Sequence, residues 1–384
     1  MVINILFWSI LFITIHSYLI YPCVIFILSH FFRENKSPHD PTYSVSIIIS
    51  AFNEEKVIRE RIINISHLDY DFNHVEVLIG SDCSTDNTNH ILMDMQKKFP
   101  WLSVHIFESR RGKASVINDL VAKAQNEIIV FTDANTIFDV NSLKLLIRQF
   151  GDPSIGGVCG RLVLLEPKSK VSDSVEEKKY WEYETFIKKY EGKCGVLIGA
   201  NGGIFAIQRN LFKQLPIGKP ITDDIFITLM IHQQNYKFSY EYDAFAFEDV
   251  GYEIIHEFNR KTRFSATNLE TMFYYKDLIF NRNFLLSYAF WSHKILRWMT
   301  PIFLISIFFL NILLWNESVF QMLLYVQFLF YFLSFIGFLK RNSKNKIKFI
   351  TIPFYFSMTN IAMLIGMINY FLKRQTAFWQ STPR

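Results

Sequence analysis

Cysteine is scarce: there are four in 384 residues, and Cys23, Cys83, Cys159 and Cys194 show neither the close spacing of a zinc site nor a paired framework. A disulfide scaffold and a structural zinc module are thereby excluded, and the four read as free thiols, most of them in a reducing compartment. Glycine-rich nucleotide loops are also missing. The first strand-like run is followed by "AFNEE" instead of a Gly-x-Gly-x-x-Gly turn, which argues against a dinucleotide-binding enzyme. "SRRGKAS" (109–115) ends like a phosphate-binding P-loop, yet Phe107 stands where that signature needs its first glycine. No basic stripe interleaved with stacking aromatics is present, so no nucleic-acid partner is expected. Charge of either sign is absent from residues 1–32.

That last gap exceeds the roughly 20 apolar residues needed to cross a bilayer. A signal peptide would carry a basic start and a small-residue cleavage motif; neither occurs, so an uncleaved anchor is expected. Three further apolar runs, 299–315, 319–339 and 349–372, are each about long enough to span. Pro301 and Pro353 fall near the starts of their runs, where a missing backbone donor is least harmful. The loop "KRNSKNKIK" carries Lys340, Arg341, Lys344, Lys346 and Lys348, and the positive-inside rule puts it in the cytoplasm. Threading backwards, the long segment 33–292 is cytoplasmic and the N-terminus external; Lys373, Arg374 and Arg384 then fall outside, against the bias. "YAFWSHKILRWMT" (288–300) mixes aromatic rings and cations, as in an interfacial helix or an extension of the next span. The net charge of +5 is read as membrane-orienting and anion-facing.

Between these spans lies a repeated strand-then-helix rhythm. "SVSIIISA" (44–51), "HVEVLIGS" (74–81), "LSVHIFE" (102–108) and "EIIVFTD" (127–133) are apolar, β-branched runs, with helical patterns starting near Glu54, Asp86, Gly112 and Asn141. Alternation of this kind predicts an α/β, doubly wound, mostly parallel sheet, whose ligands bind at the carboxyl ends of the strands. Each of those ends carries polar residues: Ala51 to Glu55, Ser81 to Asp86, Arg110 to Lys113 and Asp133 to Asn135.

The chemistry of these residues leaves alternatives. Asp82 suits hydrogen bonding to a base or ribose, while Ser84, Thr85 and Asp86 suit a helix cap. Asp133 and Asn135 offer a carboxylate and an amide oxygen to Mg2+ or Mn2+, but Asp-x-Asn is also a common turn. Asp223 and Asp224 are adjacent at an expected helix start, where the dipole favours acids and where a buried pair can furnish a general base. Gly202 and Gly203 allow close approach to a ligand or mark a bulge. Arg260 and Arg263 share a helical face suited to phosphate oxygens; Lys261 fits a membrane-surface role better.

Taken in order, "SIIISAFNEEKVI", "GSDCSTDNT", "RRGKASVIN", "VFTDAN", "GANGGIFAIQR", "TDD" and "RKTRF", followed by membrane spans, resemble the membrane-bound family 2 glycosyltransferases of GT-A fold, such as cellulose, hyaluronan and poly-N-acetylglucosamine synthases. The resemblance covers about 44–266 and the layout of spans. It implies a nucleotide pocket lined by Ala51, Asn53 and Glu54, Asp82 on the nucleotide, and Lys113, Arg260 and Arg263 near the donor phosphates. It implies a metal at Asp133 and Asn135, Asp224 as general base with Asp223 beside it, and Asn201, Gly202 and Gly203 on the acceptor side. Asn135 stands where the family has a second acid, so Asn135→Asp is expected to tighten metal binding. Arg260 and Phe264 replace the glutamine and tryptophan of Gln-x-x-Arg-Trp, which bears on processivity.

The expected organisation is an N-terminal span (1–32), a cytoplasmic GT-A domain (33–285), an interfacial helix (286–298), three spans (299–372) and a tail (373–384). The implied activity is inverting transfer from a nucleoside-diphosphate sugar, a UDP-sugar by resemblance, to a glycan or lipid-linked acceptor at the inner membrane, alongside membrane lipids and polysaccharide-export partners. Single additions to a lipid carrier, and a non-catalytic assembly role, are the alternatives.

Overall fold

The computed structural model describes residues 1–32, 43–165, 174–249, 254–341 and 347–375. Lys344, Lys346 and residues 376–384 of the expected basic loop and tail lie outside the described residues. The chain opens with α1 (Val2–Ile15) and α2 (Tyr21–Ser29), joined without interruption by a π-helical turn, His16–Ile20.

Eight strands then form one sheet. They are β1 (Val45–Ala51), β2 (Val75–Asp82), β3 (Leu102–Phe107), β4 (Ile128–Thr132), β5 (Ile137–Phe138), β6 (Ile155–Leu165), β7 (Phe205–Gln208) and β8 (Lys237–Asp249), in spatial order β3-β2-β1-β4-β7-β6-β8-β5. The first half, β3-β2-β1-β4, is wholly parallel, as the continuous β-branched runs predict. Beyond it β7 runs antiparallel to both β4 and β6, a reversal that the short "IFAIQ" run does not announce. β6 and β8 are parallel again, and β5 closes the far edge antiparallel to β8.

Helices cover both faces. α3 (Ile58–Ser66), α4 (Thr88–Gln96) and, further along, α6 (Ser142–Arg148) bury Ile58, Ile62, Leu92, Leu143 and Leu146 against Val45, Ile47, Ile49 and Val130. α5 (Lys113–Lys123) covers the opposite face through Val116 and Leu120, and α7 (Ser174–Lys193) and α8 (Asp223–Gln233) extend that cover. Removing such side chains from water at about 25 cal/mol per Å2 is the main force holding the sandwich. α3 starts at Ile58, not near Glu54, because the intervening loop is spent on other bonds: Asn53 takes a φ of 55° and the Glu54 N–H donates to Thr88 Oγ1 at 2.8 Å.

The C-terminal third is helical: α9 (Ile254–Tyr274), α10 (Phe284–Ala289), α11 (Leu296–Trp298), α12 (Thr300–Leu313), α13 (Ser318–Leu339) and α14 (Lys348–Phe371). Among the described residues three helices are long and apolar enough to cross a membrane, Val2–Ser29, Ser318–Leu339 and Lys348–Phe371. A fourth crossing exists only if Phe284–Trp298 and Thr300–Leu313, which meet at 63°, form one bent span. The sharp bend keeps the segment 286–298 distinct from the helix after it. Pro301 lies in the first turn of α12, whereas Pro353 lies inside α14 and removes one backbone hydrogen bond there.

Ionic contacts tie α7 to these helices. His293 is fully buried between Glu191 Oε1 (2.7 Å) and Glu184 Oε2 (3.0 Å), Arg297 pairs with Glu184 Oε1, and Tyr21 donates to Glu191. Burial would raise the Glu184 carboxyl, but His293, Lys294 and Arg297 outweigh it and hold it well below the usual carboxylate range. Glu184→Gln leaves the facing cations uncompensated, so it should cost about 3–5 kcal/mol. The check is a lowered Tm of the detergent-solubilised full chain; a Tm equal to wild type would count against this network as a structural tie.

Candidate active site

A cleft of about 280 Å3 opens at the carboxyl ends of β1, β2 and β4. Strand β1 is where the winding order reverses, the position at which open α/β sheets bind ligands. The cleft collects Glu54, Asp82, Lys113, Asp133, Asn135, Gly202, Gly203, Asp223, Asp224, Arg260 and Arg263. Most of the residues singled out from sequence are therefore neighbours in space.

Lys113 stands at its centre. Its ammonium lies 2.9 Å from Asp133 Oδ1, just after β4, and 2.9 Å from Asp223 Oδ2, in the first turn of α8. Burial would lower its pKa; Asp133 and Asp223 more than offset this and raise it. The lysine is delivered by the turn before α5, where Gly112 has a φ of 85° that favours glycine. Asp82 fixes that turn, accepting from the Arg111 N–H at 2.8 Å and the Gly112 N–H at 2.9 Å.

Asp224 is placed differently. Its Oδ1 accepts from the Ile225 N–H at 2.6 Å, while Oδ2 is the oxygen nearest Gly202, where an added Cβ would meet it at 3.3 Å and Asp133 Oδ2 at 3.8 Å. Burial, then the adjacent Asp223 charge, push its carboxyl up to about 6, against the pull of Lys188 and Lys113. Glycine at 202 lets backbone pass between two carboxylates. Gly203 is required for packing, since a Cβ there would lie 2.9 Å from Thr136 Oγ1.

The remaining cations sit on α9. Arg263 faces Asp223 and Asp133; burial and the neighbouring Arg260 lower its pKa, and the two aspartates draw it back up. Arg260 is held by Glu257, with Nε to Oε2 at 2.7 Å, and Lys261 pairs with Glu257 at 3.4 Å, so these two are partly neutralised. Behind β4, Arg61 is fully buried, donates to Thr132 Oγ1 at 3.0 Å and lies 4.2 Å over Phe138. Burial lowers its guanidinium to about 9, opposed by Asp133.

Three residues expected to contact ligand are not among those lining this cleft. Ala51 ends β1 within the core. Asn53 bonds Thr85, its Oδ1 accepting from the Thr85 N–H at 2.8 Å, and so links two strand-end loops. Asn201 is buried behind the cleft: its Nδ2 donates to the Gly160 carbonyl at 2.7 Å and its Oδ1 accepts from Lys188 at 2.6 Å.

Other residues in the cleft escaped the sequence reading. Arg110 lies 3.7 Å over the Phe52 ring, and Trp181, Lys219 and Glu248 complete the lining. Glu248 lies within β8, one residue before its end, whereas Asp133 follows β4 directly.

Residues 46–215 match the family described as Glycosyl transferase family 2. A poly-beta-1,6-N-acetyl-D-glucosamine synthase of Staphylococcus epidermidis is 25% identical over 209 residues, 54% of this chain and 50% of that one. Its counterpart in Staphylococcus aureus strain COL is 26% identical over 218 residues, covering 54% and 51%. The chain thus spans about half the length of the curated relatives it matches. A mannosyltransferase from Pyrobaculum calidifontis, solved in complex with GDP-Man and Mn2+, superposes with a TM-score of 0.75 over 97% of this chain and 100% of that one at 16% identity, which shows a shared fold.

The raised pKa of Asp224 has a consequence for stability. The folded chain keeps this proton up to about 6, whereas the ordinary value is 3.8, so the associated stability is full below pH 3.8 and is lost as pH rises through about 6. Asp224→Asn removes the loss: its Tm should exceed that of wild type at pH 7.5 and match it at pH 4 in calorimetric scans. A gap independent of pH would contradict the burden assigned to this charge.

Proposed function

We propose that the chain is a membrane-bound inverting glycosyltransferase, a reading supported by the match of residues 46–215 to the glycosyl transferase family 2 model. It moves a sugar from a nucleoside-diphosphate sugar to a hydroxyl of a glycan or lipid-linked acceptor. The observation that carries this reading is Asp224, a half-buried carboxylate pushed up to about 6 beside a cluster of cations. A base of that strength, facing charges suited to a diphosphate, matches what sugar transfer requires.

A divalent cation, Mg2+ or Mn2+, fits the cleft. Asp133 Oδ1 is held by Lys113 while Oδ2 turns toward Gly202, and Asn135 adds an amide oxygen. Among the described residues no three His, Cys, Asp or Glu side chains form a closed cage, so the donor phosphates and water would complete the coordination. Bound there, the ion supplies charge neutralisation for the departing diphosphate.

The protein's own part is positioning and proton transfer. The acceptor oxygen attacks the anomeric carbon opposite the diphosphate, its proton passes to Asp224, and the anomeric C–O bonding pair leaves with the nucleoside diphosphate. Lys113 and Arg263 face the charge that develops on that leaving group. The basic residues Lys340, Arg341 and Lys348 at the facing ends of α13 and α14 support placing the domain on the cytoplasmic side.

The test is nucleoside-diphosphate release by the purified full chain from labelled UDP- and GDP-sugars with Mn2+ or Mg2+. Wild-type kcat/KM should rise with pH to a plateau above about 6, and Asp224→Asn should lose about 10²–10⁴-fold. Equal turnover by wild type and variant would overturn the base assignment. Product length then separates polymerisation from single addition to a lipid carrier.

A further inference from the structure

Asn135 presents one oxygen and one NH2 group, and only the oxygen can ligate a cation. Its Nδ2 donates to Glu248 Oε1 at 2.7 Å, across from the end of β8, and both side chains line the cleft. With the NH2 group committed, Oδ1 is the atom left to the cleft; it accepts no protein hydrogen bond among the described residues. We infer that Glu248 is the positioning residue of the metal site: it fixes the Asn135 amide with its oxygen toward the cation and restores, from a different strand, the negative charge that Asp-x-Asn lacks. This rests on the nucleotide-sugar reading.

The arrangement reverses the simple expectation for Asn135→Asp. A carboxylate at 135 would face the Glu248 carboxylate at the distance now spanned by a hydrogen bond, and like charges that close cannot both ionise freely. The two positions are therefore interdependent, with one acid and one amide the compatible pairing.

The experiment measures Mn2+ binding to the detergent-solubilised full chain in the presence of UDP, by electron paramagnetic resonance of the free ion. Glu248→Ala should weaken Mn2+ about 10-fold, the lower end of what loss of a ligand-orienting partner costs. Asn135→Asp alone should bring no tightening. The double variant should return close to wild type, because a carboxylate offers oxygen in either orientation and carries its own charge. Rescue of this kind separates positioning from misfolding, since the double variant keeps the Glu248 lesion. Unchanged affinity in Glu248→Ala, or tightening by Asn135→Asp regardless of residue 248, would overturn the inference alone. Failure of wild type to bind Mn2+ with UDP would overturn it together with the donor reading.

Discussion

The site depends on one ammonium group. Asp133 and Asp223 reach the same place from the end of β4 and the start of α8, and Asp224 adds a third carboxylate beside them. Three such charges in a half-buried cleft repel unless a cation is held among them. Lys113 is that cation, and its position is inherited: Asp82 secures the Arg111 and Gly112 amides, and Gly112 adopts the left-handed backbone that turns the chain into α5. A residue in β2 thus governs the charge balance between β4 and α8 without touching either. Because Lys113 bonds Asp133 and Asp223 and reaches Asp224 only through its field, the last acid has its burial penalty offset only in part. Two of the carboxylates are paired with one ammonium, and the third is left with a raised pKa.

A second charge system lies between the sheet and the membrane-type helices. Glu184 and Glu191 on α7 meet His293, Lys294 and Arg297, close to where the π-helical turn His16–Ile20 touches a second one, Phe290–Ile295, through Ser17 Oγ and the Ser292 carbonyl at 3.0 Å. Lys188 stands between the systems. It donates to Asn201 Oδ1 and the Ala200 carbonyl, on the loop that carries Gly202, and its charge lowers the pKa of Asp224. One face of α7 thereby serves the contact with the apolar helices while a neighbouring residue steadies the loop beside Asp224.

What sequence revealed follows from distance along the chain. The parallel half of the sheet was legible because runs such as "SVSIIISA" are apolar on both faces, and polar residues stopping those runs had to gather at one edge. Asp223 and Asp224 were legible as a helix start for the same local reason. Contacts between remote segments were not. Asn135 and Glu248 are separated by 113 positions and meet only because β8 pairs with β6 and β5 instead of following the simple winding order. Asn53 and Asn201 illustrate the same limit: type and slot suggest ligand contact, while the structure shows each bonded to a remote residue, Thr85 and Lys188. Sequence gives the residue type and its local slot; the partner decides whether that residue is chemistry or scaffold.

Helix α9 joins the two halves. One face lines the cleft with Arg260, Arg263, Phe264 and Thr267. The other rests on α14: Ser265 Oγ donates to the Met363 carbonyl at 2.7 Å, and at Gly366 an added Cβ would lie 2.2 Å from the Thr262 carbonyl. So close an approach is open only to glycine, and it seats α9 firmly on an apolar helix. The position of Arg263 in the cleft is consequently set by a contact with α14. Any shift of α14 relative to the sheet would move Arg263 with respect to Lys113, because one belongs to the helical body and the other to the strand-end loops. The spacing between Arg263 and Lys113 is therefore held jointly by α14 and by Asp82.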